Sequence, residues 1–439
     1  MIYKTIYSRL IIQPERLFKI LAAVLILISC FSLLAAQEKP GLSEKDLEKH
    51  TYYFDISDNK LIGEGAQVLF DEIKQSQYIL LGEYHGSMRI SEFTKAIIPL
   101  FHDAGCRTFG LEIGPVSAEI LSALSNDPDR TAFNLRNFNS NYYVADKNRT
   151  FTPIPFFANV EDAEFLAEAR RRKWNLLGLD QEFSFSYLPL INRMYENLKP
   201  KKKKELKELY EQTVNSIKTY YEADIKDGKN QYKAILESKE VNGFLDAAAK
   251  ENPKNKQIAE AIKFTTEIYY MNDDKIRKYY EANSGRVGYM KKNLSEGLGR
   301  LKFDLKKDKM LLKMGAVHTG RGFSDLSLFE IGNTLSELAE FNGNRSLHIN
   351  FGMRFYLENG KETDALDDKN GFLYRFRGLT QMARKDKWTL IDLRPLRKTV
   401  FYQRKFKLDE IVLELFKNHD FFIIPKLEVE PTENFAARN

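Results

Sequence analysis

The sequence is nearly devoid of cysteine, with Cys30 and Cys106 as the only two in 439 residues. If the N-terminal segment that holds Cys30 is removed, a single cysteine remains. That excludes an intramolecular disulfide and a cysteine-based metal site. Tryptophan is also scarce, at 2 residues, but 31 Phe and 22 Tyr supply ample aromatic surface and argue against disorder along the chain. Several familiar catalytic patterns do not occur. There is no Walker A loop, no G-x-G-x-x-G after a strand, no G-x-S-x-G elbow and no H-E-x-x-H. A serine-esterase mechanism therefore lacks its signature. The chain shows no internal repeat and no low-complexity tract. The net charge of +6 is small for this length. Part of it comes from the run Lys199 to Lys204, interrupted by Pro200, which reads as solvated helix surface rather than a nucleic-acid footprint.

What is present is globular in composition: 43% hydrophobic and 29% charged residues, enough for one large domain or two smaller ones. The N-terminus stands apart. Lys4, Arg9, Arg16 and Lys19 precede LAAVLILISCFSLLAA (residues 21–36), and the polar QEKPGLSEKD follows. A basic start, an apolar run and small residues are the pattern of an export signal, with cleavage expected after Ala36. Leu27-Ile28-Ser29-Cys30 offers a lipoprotein-type alternative, and a retained anchor is a third. The expected location is outside the cytoplasm, periplasmic or envelope-associated, with membrane contact only through this segment.

From there on, short apolar runs alternate with helical stretches, the pattern of an α/β fold with a mostly parallel central sheet flanked by helices. The runs are 78–83, 107–114, 174–180, 309–318, 346–355, 389–396 and 420–429. The first four show little polar alternation, as for strands covered on both faces. The segment 185–300, rich in Lys, Glu, Tyr and Leu, reads as long helices inserted between the third and fourth strands, positioned to cap the sheet. The expected organisation is an export signal at 1–36, core at 37–184, helical insertion at 185–300 and core again at 301–439.

Four of these runs end in chemically capable residues. ILLGEYHGS (79–87) carries Glu83 and His85, and the second run carries Glu112 near its end. The third ends in Asp180, followed by Gln181 and Glu182, and the fourth ends in His318, followed by Thr319-Gly320-Arg321. Ligand sites in open α/β sheets form at the carboxyl ends of parallel strands, so parallel neighbours would bring these groups into one crevice. Taken singly, Glu83 could merely cap a helix with Ser87 and Ser91 beside it, and Asp180 could do the same. Glu112 lies between Leu111 and Ile113, where a carboxylate must be paired or hydrogen-bonded. His50, His102 and His419 have no supporting context, and His348 reads as a core or sheet-face histidine. Histidines and carboxylates together suit a water activated by histidine, with a carboxylate setting the imidazole tautomer. They also suit a hard or borderline cation.

The stretches LLGEYHGSMRISEF (80–93), FGLEIGP (109–115), LLGLDQE (176–182), RVGYMKKNL (286–294) and KMGAVHTGRG (313–322) resemble, in this order, the superfamily of erythromycin esterases, ChaN-like lipoproteins and TIKI-type proteases. The matching positions are Glu83, His85, Glu112, Arg286, Met290, Asn293 and His318. Only Tyr84 separates Glu83 from His85, where the esterases usually have two residues; this spacing is closer to the ChaN-like branch. His85-Gly86 followed by Glu92 is similar to the esterase branch. The resemblance implies an α/β core with a helical insertion and a hydrolase-like site. His85 is then the expected base, Glu83 or Glu112 the group that orients a histidine, and His318 and Arg286 the groups facing developing negative charge. Tyr84, Asp180, Glu92 and Arg321 are the expected contacts of a small-molecule substrate. No cofactor is required by this reading. The TIKI-like branch implies a divalent metal on the same groups, and the ChaN-like branch a haem- or iron-binding envelope protein.

Overall fold

The computed structural model describes residues 41–145, 150–227 and 231–436; the expected export signal lies outside them. Nine strands form one sheet: β1 (Thr51–Ser57), β2 (Lys60–Ile62), β3 (Tyr78–Glu83), β4 (Cys106–Leu111), β5 (Asn175–Gly178), β6 (Lys309–Gly315), β7 (Ser346–Phe351), β8 (Trp388–Asp392) and β9 (Phe421–Ile424). Their spatial order is β2-β1-β8-β9-β7-β3-β6-β4-β5. The six strands from β9 to β5 are parallel, and β2, β1 and β8 continue the sheet antiparallel. The fold is thus α/β with a mostly parallel sheet, as the alternation predicts.

The lack of polar alternation has a direct cause. Ile79 and Leu81 of β3 pack into a core with Phe93, Ile97, Phe109 and Phe165, while Tyr78 and Leu80 pack on the opposite face with Met290, Leu294, Leu312 and Leu335. Helices cover both sides, so every β3 residue is buried. Helix α1 (Met88–Asp103) follows β3 and α2 (Pro115–Leu124) follows β4. Between β5 and β6 the chain runs through helices at Tyr187–Glu196, Pro200–Asp227, Tyr232–Glu237, Lys239–Ala249, α3 (Pro253–Met271) and α4 (Tyr279–Leu301). The lysine run lies on one of these, where Lys202 meets Glu205 and Lys203 meets Glu196 at the surface.

Two sequence-based boundaries shift and one strand is new. β6 stops at Gly315, and His318 belongs to a helical turn, Ala316–Thr319, laid across the strand ends. The run 346–355 is two pieces, because Phe355 starts a separate hairpin with residues Lys361–Asp364. The half-buried β1, with its mixed burial pattern, was not among the predicted runs.

Candidate functional site

Four of the parallel strands, β3, β6, β4 and β5, are neighbours in the sheet, and their carboxyl ends carry the predicted groups side by side. Backbone detail makes room for them. Gly82 near the end of β3 has no space for a side chain: a Cβ there would run into Thr319 of the crossing turn. Gly86, at φ +82°, reverses the chain so that Ser87 can cap α1, its Oγ accepting from Ile90 N at 3.0 Å. Glu428 ties this loop down from the C-terminal segment. It accepts from Tyr84 Oη at 2.8 Å, Ser87 Oγ at 2.6 Å and Arg89 N at 3.1 Å. The cap is therefore Ser87, and Glu83 is free for something else.

Glu83 sits between two partners. Its Oε2 accepts from Lys313 Nζ at 2.5 Å, and its Oε1 faces His85 Nδ1 at 3.3 Å. Burial alone would raise the Glu83 pKa, but Lys313 and His85 together hold it below the ordinary carboxylate value. Glu83 is thus charged at neutral pH. His85 remains 36% exposed at its side chain. Phe156 stacks on its ring, with centroids 3.7 Å apart and planes 14° apart. To do so Phe156 adopts φ +64°, a left-handed backbone that L-residues adopt only where surroundings enforce it.

Glu112 is the hub. One oxygen accepts from Arg286 Nη2 at 2.9 Å and lies 3.5 Å from His318 Nε2. The other accepts from Gly315 N at 2.5 Å and lies 3.7 Å from His85 Nε2. Both histidines thus approach one carboxylate from opposite sides. Arg286 also grips Asp180, donating through Nε at 2.8 Å and through Nη2. Arg286, Met290 and Asn293 share one face of α4: Met290 packs in the core, and Asn293 Nδ2 donates to the carbonyls of Leu179 at 3.0 Å and Asp180 at 3.2 Å. That is the physical content of the R-x-x-x-M-x-x-N spacing, which presents three positions to the β5 end.

His318 is buried, and Glu330 Oε2 holds its Nδ1 at 2.9 Å. Burial opposes its charged form, but Glu112 and Glu330 outweigh this and raise its pKa above the ordinary histidine value. Glu182 serves the fold instead, accepting from Val116 N at 2.8 Å and Ser117 Oγ at 2.5 Å at the start of α2. Burial pushes its pKa up to about 7 against those bonds. A cleft of about 330 Å³ opens beside Glu112, bounded by Phe156, Asp180, Arg286 and Tyr269 of α3.

Of the predicted residues, Glu83, His85, Glu112, Asp180, Arg286 and His318 come together. Tyr84 stands beside them, engaged with Glu428. Glu92 does not join: its carboxylate pairs with Arg89 at 2.8 Å on α1. Arg321 is likewise committed elsewhere, to Asp420 at 2.5 Å and 2.8 Å. His348 is a fully buried sheet residue, with Nδ1 2.6 Å from the Thr319 carbonyl. Sequence reasoning missed Lys313, Phe156 and Glu330. Lys313 carried a signal, a lone charge inside MLLKMG, the same anomaly that marked Glu112. Nothing local marks Phe156.

The donor set does not suit a divalent metal. The carboxylates face fixed cations: Lys313 on Glu83, Arg286 on Glu112 and Asp180. A metal ion entering here would have to displace them. Among the described residues no group of three or more His, Cys, Asp or Glu is placed to hold one.

No protein-family model matches the chain, and no curated protein is significantly similar to it. Solved structures are. A succinoglycan biosynthesis protein aligns with a TM-score of 0.54 at 16% identity, over 89% of this chain and 97% of that one. A Bacillus cereus protein aligns with a TM-score of 0.52 at 14% identity over the same shares. A histidine-to-asparagine mutant of the erythromycin esterase EreC, in its open conformation, aligns with a TM-score of 0.50 at 14% identity, over 85% of this chain and 95% of that one. At such identities the likeness speaks for the fold.

Proposed function

We propose that this chain, which has the fold of the erythromycin-esterase-like structures, is an exported hydrolase that cleaves an ester, lactone or amide with a histidine-activated water. The observation that carries the reading is the single Glu112 carboxylate approached by both His85 and His318 and gripped by Arg286. Glu83, kept ionised by Lys313, accepts a proton-bearing Nδ1 and leaves Nε2 of His85 as the base. Nε2 takes a proton from water as the oxygen attacks the carbonyl carbon. The resulting oxyanion is met by Arg286 and His318. Collapse breaks the C–O or C–N bond, and the leaving group regains the proton from His85. Glu112 holds the other three groups in register through contacts on both oxygens. Phe156 covers the imidazole and the 330 Å³ cleft receives the polar end of the substrate. Export is proposed from residues 1–36 alone; among the described residues no helix is long and apolar enough to cross a membrane.

The test is hydrolysis of an ester, lactone and amide panel by purified protein, repeated after chelator treatment. The expected result is turnover that survives the chelator and falls at least about a hundred-fold in His85→Ala. Activity that persists in a His85→Ala, His318→Ala double variant sinks the proposal. Loss on chelation with rescue by one cation moves it to metal-dependent hydrolysis. No turnover, with an absorption band on haem titration, moves it to a binding role.

A further inference from the structure

Behind the strand ends lies a second cavity, of about 420 Å³. It opens between the end of β7 with residues 350–353, the turn Phe372–Phe376, and helix α5 (Glu410–Asn418). Its wall is mainly apolar: Phe351, Met353, Phe372, Phe376, Leu415 and Phe422. The aromatic rings form a continuous surface, because Phe376 stacks on Phe422 at 6.0 Å and meets Phe372 edge-on at 5.7 Å. Gly352 makes that surface possible, since a Cβ at this position would collide with the Phe422 ring. At the rim Phe372 is 59% exposed and Val317 39% exposed, an arrangement that leaves apolar area in water with nothing over it.

The cavity borders the candidate site. Glu83 and Tyr84, the two residues before His85, line it, as do Ala316 and Val317, the two before His318. An apolar space thus lies next to the strand ends that carry the reacting groups. The volume falls in the range of small-molecule pockets, and at about 30 Å³ per water-sized group it has room for roughly fourteen. Of its charged wall residues, Arg321 is paired with Asp420, Glu83 with Lys313 and Glu414 with Lys417, so the wall does not select for an anion.

We propose that this cavity binds an apolar acyl group, and that the substrate class of the site is an ester or amide of a medium-length acyl chain. The assignment of substrate rests on the hydrolase reading above; the assignment of an apolar ligand does not. Transfer of each methylene from water into such a wall gives about a four-fold gain in binding.

Two measurements test it. With p-nitrophenyl acetate, butyrate and octanoate, kcat/KM should climb by about four-fold per added methylene, and the octanoate-to-acetate ratio should collapse in Met353→Trp and in Leu415→Trp, which fill the space. Met353 is partly exposed, so that variant retains its fold if the buried Leu415→Trp does not. Separately, calorimetric titration of octan-1-ol into His85→Ala protein should show one saturable site that Met353→Trp removes. Saturable binding without turnover of any ester refutes the hydrolase reading and leaves the apolar-ligand assignment standing. Flat chain-length dependence together with no saturable octan-1-ol binding overturns the proposal.

Discussion

The Lys313 ammonium lies 2.5 Å from the Glu83 carboxylate, and each side chain is 4% exposed. Two charges taken out of water together are tolerable; either one alone is not. Lys313→Met should therefore lower unfolding stability in urea by about 3–5 kcal/mol. The double variant Glu83→Gln, Lys313→Met should recover most of that loss. A double variant as unstable as the single one would show that the pair is not what Lys313 contributes.

Gly315 offers a sharper probe of geometry. A Cβ at this position would stand 3.1 Å from His85 Nε2 and 3.3 Å from Glu112 Oε2. Gly315→Ala must push the two groups apart while leaving the β6 core untouched. The shift needed is a few tenths of an ångström, short of the displacement of about 1 Å that costs roughly a hundred-fold in rate. The expected outcome is a loss in kcat smaller than a hundred-fold with a nearly unchanged Tm; wild-type kcat would remove the pair from the mechanism.

Arg286 binds Asp180 through two nitrogens and Glu112 through one of them. A lysine cannot reproduce this planar fork. Arg286→Lys is expected to lose about 10²–10³-fold in kcat/KM. Near-normal turnover in the lysine variant would mean that only the charge matters.

His318 links stability to pH. Its native pKa is raised above the ordinary value of 6.5, with Glu112 and Glu330 overcoming burial. The folded state thus binds the proton more tightly than the unfolded one. The stabilisation is fully present below pH 6.5 and disappears as pH climbs through the raised native pKa. Urea unfolding of wild type and His318→Gln across pH 5 to 9 checks the sign: the wild-type advantage should shrink with rising pH. An advantage that grows with pH contradicts the assignment.

The framework of the site was legible from residue order. Apolar runs without alternation predicted covered strands, and β3, β4 and β6 are such strands, while β5, at the sheet edge, is buried only at Leu177 and Gly178. The carboxylate inside FGLEIG and the helix spacing of Arg286, Met290 and Asn293 also carried their meaning locally. The antiparallel strand β1 was harder to read, because a strand buried on one side has a weaker apolar signal. Glu92 was expected in the site from the esterase-like pattern and Arg321 from its place after His318; their side chains pair with Arg89 and Asp420, and Arg321 lines the neighbouring cavity.

Sequence by itself determined the parallel strands and the long helices of the insertion, since those follow from periodicity, capping and burial within a few residues. It also determined that ionisable groups stand at strand ends. Only the tertiary structure decided that β6 enters between β3 and β4, because strand order depends on how long crossovers pack and not on any local pattern. That insertion brings Lys313 against Glu83, and Gly315 and His318 against Glu112. The partners lie 203 to 230 positions apart in the chain for Gly315–Glu112 and Lys313–Glu83, a separation across which only packing can specify a contact.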